Sequence, residues 1–244
     1  QALILAGAVL DQDGHRIDKA GTMLSADTVL RLQNDPLPYV SRGGLKLKAA
    51  LDHFNISLKD KICLDVGAST GGFSDCALQA GARKIYALDV GGNQLAWSLR
   101  NDDRIEVFEK TNIRTCPGTL IENHCAFICI DVSFISLSLV LAPALRFAES
   151  EVEVVALIKP QFEAGKADVG KGGIVRDVGV RREVVSRIAA HFFAEGLGDL
   201  GCIASPILGA KGNKEFLIYG RRGQNIKSSQ NHPLIGEFDD EFFI

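Results

Sequence analysis

From residue 61 onward the chain keeps returning to short apolar runs rich in β-branched residues. They read KICLDV, KIYALDV, IEVFEK, AFICIDV and EVEVVALIK, then IASPIL and EFLIYGR close together. Between them fall stretches of helical period at 72–80, 134–147 and 180–195, the last with Val180, Val184, Ile188 and Phe192 on one face and Gly196 as its stop. Runs this apolar, alternating with helices, bury themselves in a mostly parallel sheet covered by helices on both faces. The last two runs lie too close for a crossover helix and read as a hairpin, which puts one antiparallel strand into the sheet. Residues 61–222 are therefore expected to form an α/β domain with a doubly wound sheet.

The flanks differ in character. Residues 1–36 suggest a small α+β module, a short helix followed by two or three short strands around Asp-Gly and Ala-Gly turns. Pro36 and Pro38 mark a linker, and SRGGLKLKAALDHF begins a helix that leads into the main domain, so 37–60 is read as linker plus lead-in helix. Residues 223–244 turn polar and then acidic-aromatic (EFDDEFFI), with an end expected to be loosely held or packed by a neighbour.

The six cysteines form no C-x-x-C pair and sit mostly in apolar runs, as reduced thiols do, which points to the cytoplasm. The opening QALILAGAVLDQDG carries no basic n-region, so no signal peptide is expected. The apolar stretch 125–145 has the length of a membrane span, but Asp131 and Pro143 interrupt it. An aspartate at mid-bilayer costs about 2.5–3.5 kcal/mol, whereas a strand ending at Asp131 followed by an apolar helix carries no such cost. A net charge of −3 announces no nucleic-acid binder. Residues 158–190 hold seven basic against four acidic side chains, a surplus that a solvated helix face and a charged loop also explain.

The chemistry is expected where the first strand of a doubly wound sheet turns into its helix. There the chain reads LDVGASTGGFS. A phosphate-binding loop would need G-x-x-x-x-G-K-[ST], and Phe73 stands in place of the lysine. The spacing is not the dinucleotide G-x-G-x-x-G either, and Asp65 just before the loop would repel a pyrophosphate. A ligand with an adenosine, no phosphate and positive charge fits better, namely S-adenosylmethionine. On this reading Asp65, Gly67, Ala68, Ser69, Gly71, Gly72 and Phe73 form its loop. Asp89, with Val90 beside it, grips the ribose, Asn112 lies near the adenine and Asp131 closes the far side. A tight turn alone would explain the glycines but not the acid at the end of the next strand.

A methyl donor needs an acceptor. The fourth strand ends in DVSF where an amino-group methyltransferase would carry [DN]-P-P-[YFW], and no Pro-Cys context offers a cytosine C5 nucleophile. Four other residues stand out: Lys46, Asp131, Lys159 and Glu215 could all converge on the carboxyl edge of the sheet. A lysine at a buried strand end is costly unless paired, so an ion pair with Asp131 would account for Lys159. Desolvation and a neighbouring cation also disfavour an ammonium, which would suit Lys159 to act as general base toward a ribose hydroxyl.

SRGGLKLKAAL, LDVGASTGGFSDCALQAGARKIYALDVG, IDVSFISL, LIKPQFEAGKADVGKGGIVRD and GNKEFLI together resemble the hemolysin A (TlyA) family, which shares an FtsJ-like methyltransferase domain. The resemblance runs from about residue 2 to residue 219. It implies a Rossmann-like class I methyltransferase fold, S-adenosylmethionine as cofactor, and 2'-O-methylation of cytidine in ribosomal RNA or ribosomal subunits. The family's Lys-Asp-Lys-Glu tetrad falls on Lys46, Asp131, Lys159 and Glu215. The first residues are similar to an S4 RNA-binding domain entered within its second helix; residues 1–60 hold seven basic and seven acidic residues, so weak RNA binding is expected of this part. Arg42, Lys48, Lys166, Lys171 and Arg176 are expected to hold the RNA backbone around the cleft, with GKADVGKGG closing over it as a lid. Neither a metal nor a membrane span is implied. The family's name keeps a second reading open, a membrane-acting or non-catalytic binding protein on the same scaffold; the complete tetrad favours the enzyme.

Overall fold

A computed structural model describes residues 37–224 and 240–243, together with 2–5, 7–12, 15, 17, 19, 21–25 and 27–32. In the first stretch, helix α1 (Ala2–Leu5) precedes an antiparallel pair, β1 (Val9–Leu10) with β2 (Arg31–Leu32). One strand pair among the described residues thus stands where two or three strands were expected. The expected linker residue Pro36 lies outside the described residues, as does most of the tail beyond 224.

Helix α2 (Gly43–His53) leads into the main domain. β3 (Ile62–Val66), α3 (Gly72–Gln79), β4 (Lys84–Leu88), α4 (Trp97–Arg100), β5 (Ile105–Phe108) and β6 (Cys125–Ile130) follow. Next come α5 (Leu141–Leu145), β7 (Ala148–Ile158), α6 (Pro160–Glu163), α7 (Val178–Ala194), β8 (Gly198–Ala204), β9 (Phe216–Arg222) and α8 (Asp240–Phe243). The sheet order is β5-β4-β3-β6-β7-β9-β8. All neighbours are parallel except β9, which runs antiparallel to both β7 and β8 and slots between them. The expected single antiparallel strand is therefore the last one.

The central strands β3, β6 and β9 and the carboxyl half of β7 are apolar on both sides because each side meets a different layer. Leu64, Ile128, Val154 and Ile218 pack with Ile188 and Phe192 of α7. Their sequence neighbours Cys63, Phe127, Val155 and Leu217 pack with Leu47 and Leu51 of α2 and Ala77 of α3. Two cores separated by one sheet are what an uninterrupted hydrophobic strand encodes. Helix α7 is bounded by its own chemistry: the Asp177 side chain accepts from the Val180 N–H at 3.0 Å, and Gly196 leaves the helix at φ 80°. All six cysteines are free and buried. Among the described residues no helix is long and apolar enough to cross a membrane.

Three expectations are corrected. The helix expected over 134–147 shrinks to a 3-10 turn at Leu137–Leu139 and the short α5. Ser136 starts that turn by accepting from the Ser138 N–H, and Pro143 is tolerated only because it falls in the first turn of α5. The strand read from IASPIL begins five residues earlier, at Gly198, and stops before Pro206, which offers no N–H to a ladder. The end of the tail packs on this chain itself: α8 buries Phe243 against Phe216 at a ring separation of 5.5 Å.

The order reverses at β3, which lies between β4 and β6, and there the turn after β3 comes close to the end of β6. Gly67 has φ 87°, and a Cβ on it would sit 2.4 Å from the Asp131 carbonyl oxygen. Gly67→Ala combines a left-handed backbone with a backbone clash and is expected to lower stability by about 2–5 kcal/mol. Gly118, which has open space around it, should accept alanine within about 1 kcal/mol. Urea midpoints of the two variants decide it; equal midpoints would show that the β3 turn tolerates a side chain.

Candidate active site

The turn after β3 is held from both sides. The Gly67 and Ala68 N–H groups donate to the Leu88 carbonyl at 2.8 and 3.2 Å, and the Asp131 N–H donates to the Val66 carbonyl at 3.0 Å. Asp89, just past β4, accepts from the Ser69 N–H at 2.8 Å and from the Gly91 N–H at 2.7 Å, so one carboxylate ties two loops together. Ser69 takes φ 48° to make that bond.

Two hollows open above this turn. The first, about 400 Å³, lies between the ends of β3, β4 and β6 and is walled by Gly67, Ser69, Asp89, Val90, Asn112 and Asp131, with Phe134 and Ile135 across from them. Among the described residues its walls include two carboxylates and no lysine or arginine. The second, about 300 Å³, is walled by Arg42, Lys46, Ala68, Gly72, Phe73 and Lys159. Gly67, Ser69, Asp131 and Ser133 line both hollows, so the two meet at Asp131.

One ion pair stands at this junction; in a second, Lys46 walls the second hollow while Glu215 walls neither. Lys159 Nζ lies 2.6 Å from Asp131 Oδ1 and donates to Ser133 Oγ at 3.0 Å. Lys46 Nζ donates to Glu215 Oε2 at 2.6 Å, with both side chains buried. The four residues come from α2, the end of β6, the end of β7 and the start of β9, which reaches the carboxyl edge because it runs backwards. Among the described residues no group of three or more histidine, cysteine, aspartate or glutamate side chains could hold a metal ion.

Not every expected residue faces the hollows. Asp65 is 1% exposed and walls neither hollow; its Oδ2 accepts from Ser74 Oγ at 2.6 Å under the first turn of α3, while Oδ1 is buried without a hydrogen-bond partner. Burial pushes its carboxyl up to about 7, against the opposing bond from Ser74. Gly71 also walls neither hollow, and its φ of 98° and missing side chain make room for Leu95 and Leu99 instead of a ligand. Gly72 walls the second hollow, but its missing Cβ equally lets α2 approach, since a methyl would lie 2.3 Å from Ser41 Oγ. Lys48 sits about 200° around α2 from Lys46 and pairs with Asp52 at 2.5 Å, away from the cleft. Arg42 lines the second hollow. Lys166, Lys171 and Arg176 are exposed on the 164–177 loop. That loop is pinned at its base, where the Asn213 side chain donates to the Gly173 carbonyl and accepts from the Val175 N–H.

Ser133 and Phe134 escaped the sequence reading, although DVSF was noticed there for what it lacked. Phe134 has φ 63° and is 90% exposed, a conformation that a bulky residue adopts only under constraint. The constraint is Glu163, whose carboxylate accepts from Ser136 Oγ at 2.6 Å and the Leu137 N–H at 2.7 Å. The Phe134 ring meets Phe162 at 4.8 Å, beside Lys159.

The model of the family described as FtsJ-like methyltransferase matches residues 39–222. A Bacillus subtilis (strain 168) protein named as a candidate rRNA methyltransferase, YqxC, is 47% identical over 241 residues, 96% of this chain and 85% of that one. The 16S/23S rRNA (cytidine-2'-O)-methyltransferase TlyA of Mycobacterium tuberculosis (strain ATCC 25618 / H37Rv) is 42% identical over 210 residues, 86% of this chain and 78% of its own. A solved chain from Streptococcus thermophilus, described as a candidate hemolysin, superposes with a TM-score of 0.82 at 42% identity, covering 98% of this chain and 86% of that one.

Asp65 makes stability depend on pH. The unfolded carboxyl loses its proton near 3.8 and the folded one near 7, so the folded state binds more protons between these values and stability falls as pH rises through them. Asp65→Asn keeps an acceptor for Ser74 and removes the titration. Its stability relative to the parent should rise from pH 4 to pH 8 by up to roughly 4 kcal/mol. Denaturant midpoints at the two pH values test this; a difference that does not change with pH would show that Asp65 does not titrate there.

Proposed function

The chain belongs to the FtsJ-like methyltransferase family, and from that premise we propose that it transfers a methyl group from S-adenosylmethionine to the ribose 2'-hydroxyl of a cytidine in ribosomal RNA. The observation that carries the reading is the meeting of the two hollows at Asp131, beside the Lys159–Asp131 pair. The cation-free first hollow suits an adenosine joined to positive charge and disfavours phosphate. Asp89 would hold the ribose of the cofactor and Asn112 would lie near its adenine. When bound, the cofactor supplies an electrophilic methyl on a sulfonium.

The second hollow would take the acceptor nucleotide. Lys159 Nζ receives the proton of the 2'-hydroxyl as the oxygen attacks, and Asp131 and Ser133 orient the amine. Lys46, held by Glu215, keeps a second amine on the wall of the same hollow. Phe134 and Phe162 offer an aromatic face to a nucleotide pulled out of its stack, the usual way a protein reaches a single residue of folded RNA. Arg42 and the loop cations Lys166, Lys171 and Arg176 supply backbone contacts that position without reading sequence. The module before residue 37 is read as an S4-like extension of this RNA surface. A ribosomal substrate puts the reaction in the cytoplasm.

Lys159→Ala should lower methyl transfer by about 10²–10⁴ while cofactor affinity, measured by calorimetry, stays within a few fold. Lys159→Arg should be equally inactive because a guanidinium cannot give up its proton in the working range. An active arginine variant would show that Lys159 serves only as a charge.

Activity should also fall steeply with salt, and a ribosomal RNA whose target ribose carries hydrogen in place of the 2'-hydroxyl should accept no label. Label entering that nucleotide would move the acceptor to a base atom. Leakage from liposomes with no RNA labelled would favour the membrane-acting alternative.

A further inference from the structure

Glu215 does not stand alone at the start of β9. Two residues before Glu215, Asn213 is 2% exposed and its side-chain amide binds the 164–177 loop, accepting from the Val175 N–H at 3.2 Å and donating to the Gly173 carbonyl at 2.9 Å. The carbonyl of the same Val175 accepts from Arg181 Nε at 3.0 Å. Arg181 is itself buried, and its Nη1 donates to the Phe243 carbonyl of α8 at 2.5 Å. One guanidinium therefore joins the base of the cationic loop to a helix about sixty residues further along the chain.

That helix is also clamped to the other end of the network. Phe242 and Phe243 flank Phe216 at 5.4 and 5.5 Å, and Phe216 is the residue immediately after Glu215. The Arg182 guanidinium lies 5.2 Å from the Phe243 ring centre. Lys214, between Asn213 and Glu215, has its amine pushed down by burial and then by the charge of Arg181, which places that charge beside the same segment. The connections close a loop: α8 touches Phe216 directly and reaches Asn213 through Arg181 and Val175, so Glu215 is held between two residues that α8 governs.

We infer that α8 is a positioning element for the acceptor side of the site, holding the 164–177 loop and the Glu215–Lys46 pair in register through Arg181 and Phe216. The cofactor hollow lies at β3, β4 and β6, and none of its walls among the described residues comes from α8. Loss of α8 should therefore separate the two halves of the reaction: cofactor binding survives while the acceptor side loosens. Arginine is needed at 181 because its planar fork sets two carbonyls at a fixed geometry, which a lysine ammonium does not.

The methyl-transfer part of the test rests on the function proposed above, so a second readout independent of that function is included. Deletion of residues 240–244, Arg181→Lys and Phe243→Leu are made in the full chain. Tryptic cleavage after Lys166, Lys171 and Arg176 is timed, cofactor affinity is measured by calorimetry, and kcat and KM are measured on ribosomal subunits. In the deletion and in Arg181→Lys, loop cleavage should accelerate about tenfold or more and kcat should fall about tenfold or more. Cofactor affinity should stay within about twofold, since its hollow is untouched. Phe243→Leu keeps the carbonyl and an apolar side chain and should behave within about threefold of the parent. Unchanged loop cleavage overturns the inference, as does a parallel loss of cofactor affinity, which would make α8 a general part of the core. If the parent chain methylates no RNA, the proposed function fails, and the cleavage rates still decide the role of α8.

Discussion

The active side of this molecule depends on one close approach, the backbone of Gly67 against the carbonyl of Asp131. With a side chain at 67 the turn after β3 would have to lift away from the end of β6. The wall shared by the two hollows would then open, because Gly67 and Asp131 line both of them. The bonds of Gly67 and Ala68 to Leu88, and of Asp131 to Val66, fix that approach from either side. A reaction in which one atom passes between two ligands needs their sites to adjoin within about an ångström of the productive geometry. Here that tolerance is set by backbone packing, which is stiffer than any arrangement of side chains alone.

Around that junction charge is sorted by hollow. The first is walled by Asp89 and Asp131 with no basic residue, and the second by Arg42, Lys46 and Lys159. Asp131 stands on the boundary and pairs with a lysine from the second side. On the function proposed above, a positively charged donor and an RNA phosphate chain would be drawn to neighbouring but opposite fields, each repelled from the other's place.

Much of this was legible in the sequence, and the exceptions share a cause. Strand positions, the antiparallel last strand, the place of Asp89 past β4 and the positions of Lys46, Asp131, Lys159 and Glu215 near the carboxyl edge follow from periodicity, from motif position at strand ends, and from family resemblance. Asp65, Gly71 and Lys48 were misplaced because sequence position gives the element but not the direction of the side chain. Asp65 belongs to a strand buried on both faces and turns under α3, Gly71 makes room for Leu95 and Leu99, and Lys48 lies around the helix from Lys46. Phe134 was invisible for a different reason. Nothing in DVSF announces a phenylalanine at φ 63°, since the constraint comes from Glu163, twenty-nine residues away. The overlong helix at 134–147 is the same error, a correct apolar face continued through the irregular turn that Glu163 stabilises.

The reversed direction of β9 has a consequence for how the enzyme comes into being. Lys46 and Glu215 are 169 residues apart, and Glu215 is delivered by the last strand to enter the sheet, threading between β7 and β8. While the chain is still emerging from the ribosome, β8 has no neighbour to pair with, since β9 alone joins it to the rest of the sheet. The cofactor hollow, built from segments before residue 141, can be assembled first. The acceptor side cannot. On the function proposed above, a nascent chain of this kind would hold the methyl donor's place before the means of using it, and catalytic competence would await the strand that follows Glu215.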